Sequence, residues 1–438
     1  MRHSRNSSRG FTLVELMVSL AAGLVVTIAV VGLARAATTT FFEAARISSV
    51  EATVRNASER LRQDLARTAY MSTGNIRLAR DGAPGVPLAH RIAVPNPSLV
   101  GASGSRITAL DNLQGVSIIV GGSGLAPIAN AGTPALSTPN GLNPDALILG
   151  GNYTTDDSYV GTLLPGPSLC GGQIVALNSV SDAAVRRLLG GAVPLAGLQA
   201  AFTPVPGRLY AARVVDPNGC QHFVQLCQVA MAGAIGQVHL ALDTANNPSV
   251  MGTGVTTCGG DPTEDVVISP VHRVRWYIGP NTDPSLDPDP GVEPAASKFN
   301  LYREFLDAAN PPAPIAATRQ IVAEYAIDLK FGITIADAAN ALQVYEMDDA
   351  IAAPQITLWT QPAGGTAAGG PAPHRVRSVR FRIATRATVP DRRFPLTSSP
   401  GAPYLTRYCV DPPGCTKYSR VRTVVSEVAL INQLGMSY

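Results

Sequence analysis

Apolar residues fall along the chain in two regimes. Leu16 to Ala34 is one almost unbroken apolar run of about nineteen positions. As a helix rising roughly 1.5 Å per residue, such a run just crosses the hydrocarbon of a bilayer. Beyond it the run gives way to a stripe: Val50, Val54, Ala57, Leu61 and Leu65 recur at spacings of three and four, one helical face. Glu51 stands four residues before Arg55, the favourable order for a helical ion pair. No proline occurs from Phe11 to Ala69, and only Gly23 and Gly32 interrupt. The two regimes therefore read as one helix over 11–70, with a membrane-spanning segment at 13–35 and a stop near Ser72-Thr73-Gly74-Asn75. Its length of roughly 85–90 Å exceeds one domain, so the first half is expected to protrude while the stripe packs on the remainder.

From 76 to 438 the pattern shortens, and this part is expected to be a β-rich globular head. Val116 to Val120 and Ala146 to Leu149 read as strands within a stretch rich in Gly, Pro, Ala, Ser and Asn. Ser181-Asp182 followed by Ala183 to Leu189 and Gly190 predicts a short capped helix. Arg208 to Val215 and Cys220 to Ala230, joined through Asn218-Gly219, predict a hairpin, because Asn-Gly supplies positive φ. Val266 to Ile278, Ile321 to Ile333, Val376 to Thr385 and Val421 to Ile431 are the later strands, separated by Pro/Gly-rich loops at 280–294, 310–314 and 361–373. The sum is an α+β chain: a long N-terminal helix packed on an antiparallel sheet with long loop insertions. Whether the head is one unit or two is left open, with a long insertion into one sheet preferred.

Composition supports many short strands over a bundle: charged residues are 15%, aromatics 5%, and there are 41 glycines and 35 prolines in 438 residues. A net charge of +3 does not call for nucleic acid. Six cysteines all follow the apolar run, which fits disulfides in an oxidising compartment. Cys409 and Cys415 flank a turn-forming stretch and are the favoured pair, leaving Cys170, Cys220, Cys227 and Cys258 to pair among themselves. No Cys-x-x-Cys supports zinc. No Gly-x-Ser-x-Gly, His-Glu-x-x-His or Walker sequence occurs, so neither catalysis nor a cofactor is expected. His222 and His272 lie in strands and read as surface or core residues. Asp283, Asp287 and Asp289 could offer oxygens to calcium, but three interleaved prolines favour a solvated loop. Arg375, Arg377, Arg380, Arg382 and Arg386 crowd one strand, with Arg380 and Arg382 on one face. They read as a solvated face, or alternatively as phosphate contacts.

The N-terminus carries the sharpest signal. Arg2, Arg5 and Arg9 precede the apolar run without an acidic residue among them, which orients Met1 to the cytoplasm. Glu15 then sits at the rim of the hydrocarbon, where a carboxylate calls for a partner. Gly10-Phe11-Thr12-Leu13-Val14-Glu15 resembles the class III signal of type IV pilins. The resemblance implies that residues 1–10 are a leader, that a prepilin peptidase cuts between Gly10 and Phe11, that the Phe11 amine is methylated, and that Glu15 meets such an amine on a neighbouring subunit. Two plainer readings compete: a secretory signal ending near Ala34-Arg35-Ala36, and a simple signal anchor. Leu61 to Tyr70, Ala323 to Leu329, Val376 to Arg382 and Tyr418 to Leu430 further resemble PilW-type minor pilins. For such a protein the implied role is priming assembly, with a place at the pilus tip. Its partners would be other minor and major pilins, the inner-membrane assembly platform, the peptidase and membrane lipid; nucleic acid is not expected. The implied location is the inner membrane with the head in the periplasm, then the cell surface. A minor pseudopilin of type II secretion, and a tip adhesin or DNA-uptake receptor using residues 80–260, are the alternatives.

Overall fold

The structure is a computed structural model that describes residues 11–76, 110, 113–121, 142–164, 171–177, 195–215, 221–232, 237–243, 265–281, 298–308, 313–337, 339–360, 371–390, 407–410 and 417–434. The chain forms two compact units, Met1–Ala52 and Thr53–Tyr438. Helix α1, Leu13–Ala66, belongs to both. In the first unit no described residue is buried. In the second, the predicted stripe is the buried face: Val54, Ala57, Leu61 and Leu65 are fully enclosed, with Asp64 beside them.

Fifteen named strands pair antiparallel throughout the described residues. Strand β8, Asp265–Pro280, organises ten of them. Its first half pairs on one edge with β3, Tyr159–Leu164, and on the other with β5, Tyr210–Val215. From β3 the ladder runs through β4, Gly171–Leu177, β7, Gln237–Asp243, and β6, Gln221–Ala232, back to β5. The ring of hydrogen bonds closes, giving a six-stranded barrel that leaves no free strand edge among these ladders. Its interior is filled by Tyr159, Leu163, Val175, Leu177, Val224, Leu240 and others, and by Leu198 and Phe202 of the short helix α2, Ala196–Phe202. The expected hairpin is its β5–β6 pair.

The second half of β8 leaves the barrel. It pairs with β2, Ala146–Gly151, and with β9, Phe299–Leu306. Strand β1, Val116–Ile119, and strand β10, Gln320–Ala323, complete this sheet. A separate five-stranded sheet runs in the order β12 (Leu342–Tyr345), β11 (Ala326–Ala336), β13 (Val376–Arg386), β15 (Tyr418–Ala429), β14 (Arg407–Cys409). One core joins the stripe of α1 to both sheets and to helix α3, Ala352–Thr360; it contains Leu61, Trp276, Phe331, Phe381 and Trp359. The expected α+β class holds, but the head carries a second, larger sheet where loops inserted into a single sheet were expected. Both sheets lie in one compact unit.

Several boundaries shift for physical reasons. Helix α1 ends at Ala66, and the chain turns through Ala69 and Met71, both at positive φ (60° and 49°). The Ala69 N–H donates to the Gly150 carbonyl at 2.8 Å, so strand β2 draws the chain off the helical path. That approach requires glycine: a Cβ on Gly151 would stand 2.5 Å from the Arg67 carbonyl oxygen. Asn432, in the terminal turn α4 (Ile431–Leu434), donates to the Ala66 and Thr68 carbonyls at 2.9 and 3.2 Å, satisfying groups the helix end leaves open. The expected strand Ile321 to Ile333 is two strands. The chain breaks at Tyr325 (φ 52°) and passes from the first sheet to the second. The expected helix at 183–189 lies outside the described residues.

Two core histidines make the fold acid-sensitive. His272 is enclosed against Tyr210 and Phe305, and neither ring nitrogen has a hydrogen-bond partner. Burial, with Arg303 nearby, pushes it down to about 3; burial, with Arg375 and Arg377 nearby, pushes His374 down to about 3 as well. As pH falls below about 6.5 the unfolded chain takes up protons that the folded chain refuses until about 3. Stability from these two sites is thus complete above pH 6.5 and is lost as pH falls through that window. Asp145 and Asp328, raised by burial, act in the opposite sense just above their ordinary range. Comparing the native chain with His272→Phe isolates the histidine contribution. Thermal unfolding in detergent from pH 7 to 5 should show a shallower loss in the variant, and parallel curves would refute the assignment.

Candidate functional site

The site with sequence-borne chemistry is the start of α1. Thr12 is the residue before the first helical position, and Glu15 is the third residue within the helix. Glu15 Oε2 accepts from the Thr12 N–H and from Thr12 Oγ1, both at 3.0 Å, while the Glu15 N–H donates to Thr12 Oγ1 at 3.2 Å. This is a capping box, a reciprocal arrangement that satisfies donors the first turn leaves open. Taken as a lone charge, Glu15 shows only its need for a partner; the Thr12-x-x-Glu15 spacing is the sequence signal for this second role. Both bonds fall on Oε2, and a carboxylate retains capacity for a cation on Oε1. Phe11 is 78% exposed, and Leu13, Leu16, Leu20, Leu24, Ile28 and Val31 follow it on an uncovered apolar helix long enough to cross a membrane. Gly10 and the arginines before it lie outside the described residues.

Of the cysteines, Cys227 and Cys409 are described, and each is disulfide-bonded. The other four, Cys170, Cys220, Cys258 and Cys415, lie outside the described residues. So do Asp283, Asp287 and Asp289 and the side chain of His222. His272, expected at the surface or in the core, is a core residue.

The arginine strand is corrected in one respect: neither a bare solvated face nor a phosphate surface describes it. Arg380 binds Glu346 at 2.7 Å and Glu427 at 3.2 Å. Arg382 binds Asp328 at 2.6 Å and also Asp348. Arg386 is buried, donates to the Ala387 carbonyl at 3.1 Å and stacks over Tyr325 and Tyr408. The segment after β12 carries Glu346 and Asp348 over the sheet. The chain passes so close to Gly332 that a Cβ there would stand 2.8 Å from the carbonyl oxygen of Tyr345, the last residue of β12, and 3.2 Å from the Met347 nitrogen of the segment that follows. Four carboxylates therefore already neutralise the two arginines that alternate on this face, leaving little attraction for phosphate. A cleft of about 300 Å³ opens beside them, lined by Asp145, Asp328, Lys330, Asp348, Asp349 and Arg382 among others. Asp145 is engaged there by Lys330 Nζ at 2.9 Å and by the Gly121 and Phe331 N–H groups. Among the described residues no cluster of three His, Cys, Asp or Glu is arranged to hold a metal.

What sequence reasoning missed is a set of buried ion pairs fastening α1 and the first sheet. Asp64 Oδ2 accepts from Arg303 Nε at 2.7 Å and from Trp276 Nε1 at 2.9 Å, all three side chains being buried. Glu304 is enclosed with Arg275, directly opposite it in the β8–β9 register, and accepts from Arg319 Nε at 2.9 Å. An Asp on an amphipathic helix and a Glu in a strand carry no sequence mark distinguishing them from solvated acids.

In comparison with known proteins, the prokaryotic N-terminal methylation motif matches residues 5–31. No curated protein and no solved structure matches the chain. The match supports a type IV pilin-like signal at the N-terminus. Together with the long apolar helix and the antiparallel head, it supports a type IV pilin- or pseudopilin-like structural protein anchored by that helix.

Proposed function

We propose that this chain is a minor pilin that primes assembly of a type IV pilus and sits at the filament tip. The observation that carries the reading is the methylation motif on an uncovered apolar helix whose first turn presents Glu15. The leader ends at Gly10, the mature chain begins at methylated Phe11, and Glu15 receives a neighbour's N-terminal amine while its Oε2 keeps the first turn closed. The chain's length favours a low-abundance subunit with a large head over the bulk subunit. The head stands in the periplasm before assembly, with pilins, peptidase and assembly platform as partners. Cys409 pairs with Cys415, and the other four cysteines pair among themselves.

Glu15→Gln separates the two roles of this residue. Glutamine at the third helical position still closes a capping box but carries no charge. The variant should be processed and inserted normally. Surface filaments should fall by about tenfold or more, the effect of losing 1.4 kcal/mol or more of ion pairing per subunit contact. Unchanged piliation in immunogold counts would sink the charge-pairing role. Deleting the gene should reduce surface pili. Loss of exported enzymes with intact twitching would instead favour the secretion pseudopilin.

A further inference from the structure

The apolar character of α1 does not end where its apolar run ends. Every Ser and Thr from Leu13 to Phe42 turns its hydroxyl back onto the helix. Ser19 donates to the Leu16 carbonyl and Thr27 to that of Gly23, at 3.0 and 2.7 Å. Thr38 donates to Ala34, Thr39 to Ala36 and Thr40 to Ala36, at 2.7, 2.8 and 2.6 Å. A threonine satisfied this way presents mainly its methyl outward, and its polar group needs no water. Directly after this run stand Phe41 and Phe42, 71% and 56% exposed, with their rings edge to face at 6.1 Å. Between Arg35 and Glu43 there is no charge.

Length then decides where this stretch lies. Glu15 and Arg35 are twenty residues apart, about 30 Å along a helix, which is the hydrocarbon thickness. Leu16 to Phe42 spans about 40 Å, enough for the hydrocarbon and one headgroup layer. A helix too long for its bilayer tilts or slides. Sliding toward the cytoplasm brings the phenylalanines into the outer headgroup layer and lifts Glu15 out of the hydrocarbon on the other side. Arg35 tolerates that shift, because its long stem carries the guanidinium back to the interface. The opposite slide would expose two phenylalanines to water and draw a carboxylate into lipid.

We propose that Phe41 and Phe42 are a lipid-seated anchor in the outer headgroup layer that sets the depth of α1 before assembly and holds Glu15 at the aqueous cytoplasmic rim. The inference rests on the membrane-anchored reading given above, and the test separates the two. The full chain is placed in vesicles of phosphatidylethanolamine and phosphatidylglycerol carrying bromine either near the headgroup or deep in the acyl chain. Phe41→Trp reports on the anchor and Val30→Trp on the span; buried Trp276 and Trp359 give the background of the native chain. The added emission of Phe41→Trp should be quenched most by shallow bromine, and that of Val30→Trp by deep bromine. Quenching of Val30→Trp alone overturns the anchor and leaves the span standing, whereas quenching of neither removes both. Depth-setting has its own readout: a Leu16→Trp probe should become more strongly quenched by deep bromine when Phe41 and Phe42 are both replaced by serine. An unchanged probe overturns that part of the proposal.

Discussion

Asp64→Ala should destabilise the head by about 3–5 kcal/mol, the usual consequence of removing one partner from a buried ion pair. Arg303 is 4% exposed, and Asp64 receives two of its nitrogens, at 2.7 and 3.3 Å. Without the carboxylate, that guanidinium stays buried with its charge uncompensated, and Trp276 Nε1 loses its acceptor. The loss falls on the contact that ties the end of α1 to strands β8 and β9. Chemical denaturation of the full chain in detergent, followed by tryptophan emission, measures it. The companion variant is Asp64→Leu with Arg303→Met. Replacing a whole buried pair with apolar groups of similar size is often neutral or stabilising, so the double variant should recover most of the loss. A single variant within about 0.5 kcal/mol of native would show that the pair is solvated.

Glu304→Gln should have an effect of the same order and for the same reason. Glu304 has no exposure and faces Arg275, 1% exposed, across the β8–β9 ladder, while Arg319 reaches it from beyond the strand. Two other nitrogens of Arg275 have no hydrogen-bond partner, so the carboxylate is the principal compensation for that charge. Arg275 also lies 4.1 Å from the centre of the Tyr277 ring, which stacks on Tyr302 at 5.5 Å. Burial and then the neighbouring Glu304 push the Tyr277 phenol up to about 12. Neutralising Glu304 removes one of those upward causes and leaves Arg275 and Arg319 pulling down. Absorbance titration should therefore show this phenol ionising at lower pH in the variant. Amide exchange should quicken along β9 and β10 first; uniform exchange would argue against a role local to that ladder.

The two residue classes contrast in how they could be read beforehand. Glu15 is conspicuous in sequence because its surroundings are uniformly apolar, so a lone acid there stands out by composition. Asp64 lies among Arg60, Arg62 and Arg67, where an acid looks like any solvated surface charge. Its neighbours in space, Trp276 and Arg303, are over two hundred residues away. Arg380 and Arg382 were legible as one face of a strand, since alternation is local. That Glu346 and Asp348 cover them was not, because those two acids reach the arginines from a segment 34 residues away in the chain.

Local patterns determined the long helix, its buried stripe, most of the longer strands and the chemistry of the first turn, because each is written within one or two turns of chain. Tertiary structure alone decided the closed six-stranded barrel, the division of β8 between two sheets and the partners of the buried acids. The strand pairings depend on which edges meet across gaps of up to 129 residues, and hydrogen-bonding edges have no side-chain signature; the partners of Asp64 lie 212 and 239 residues away. The barrel closes because β5 finds β8, a pairing of backbone groups that leaves no mark in the sequence and even includes Pro270, opposite Ala212.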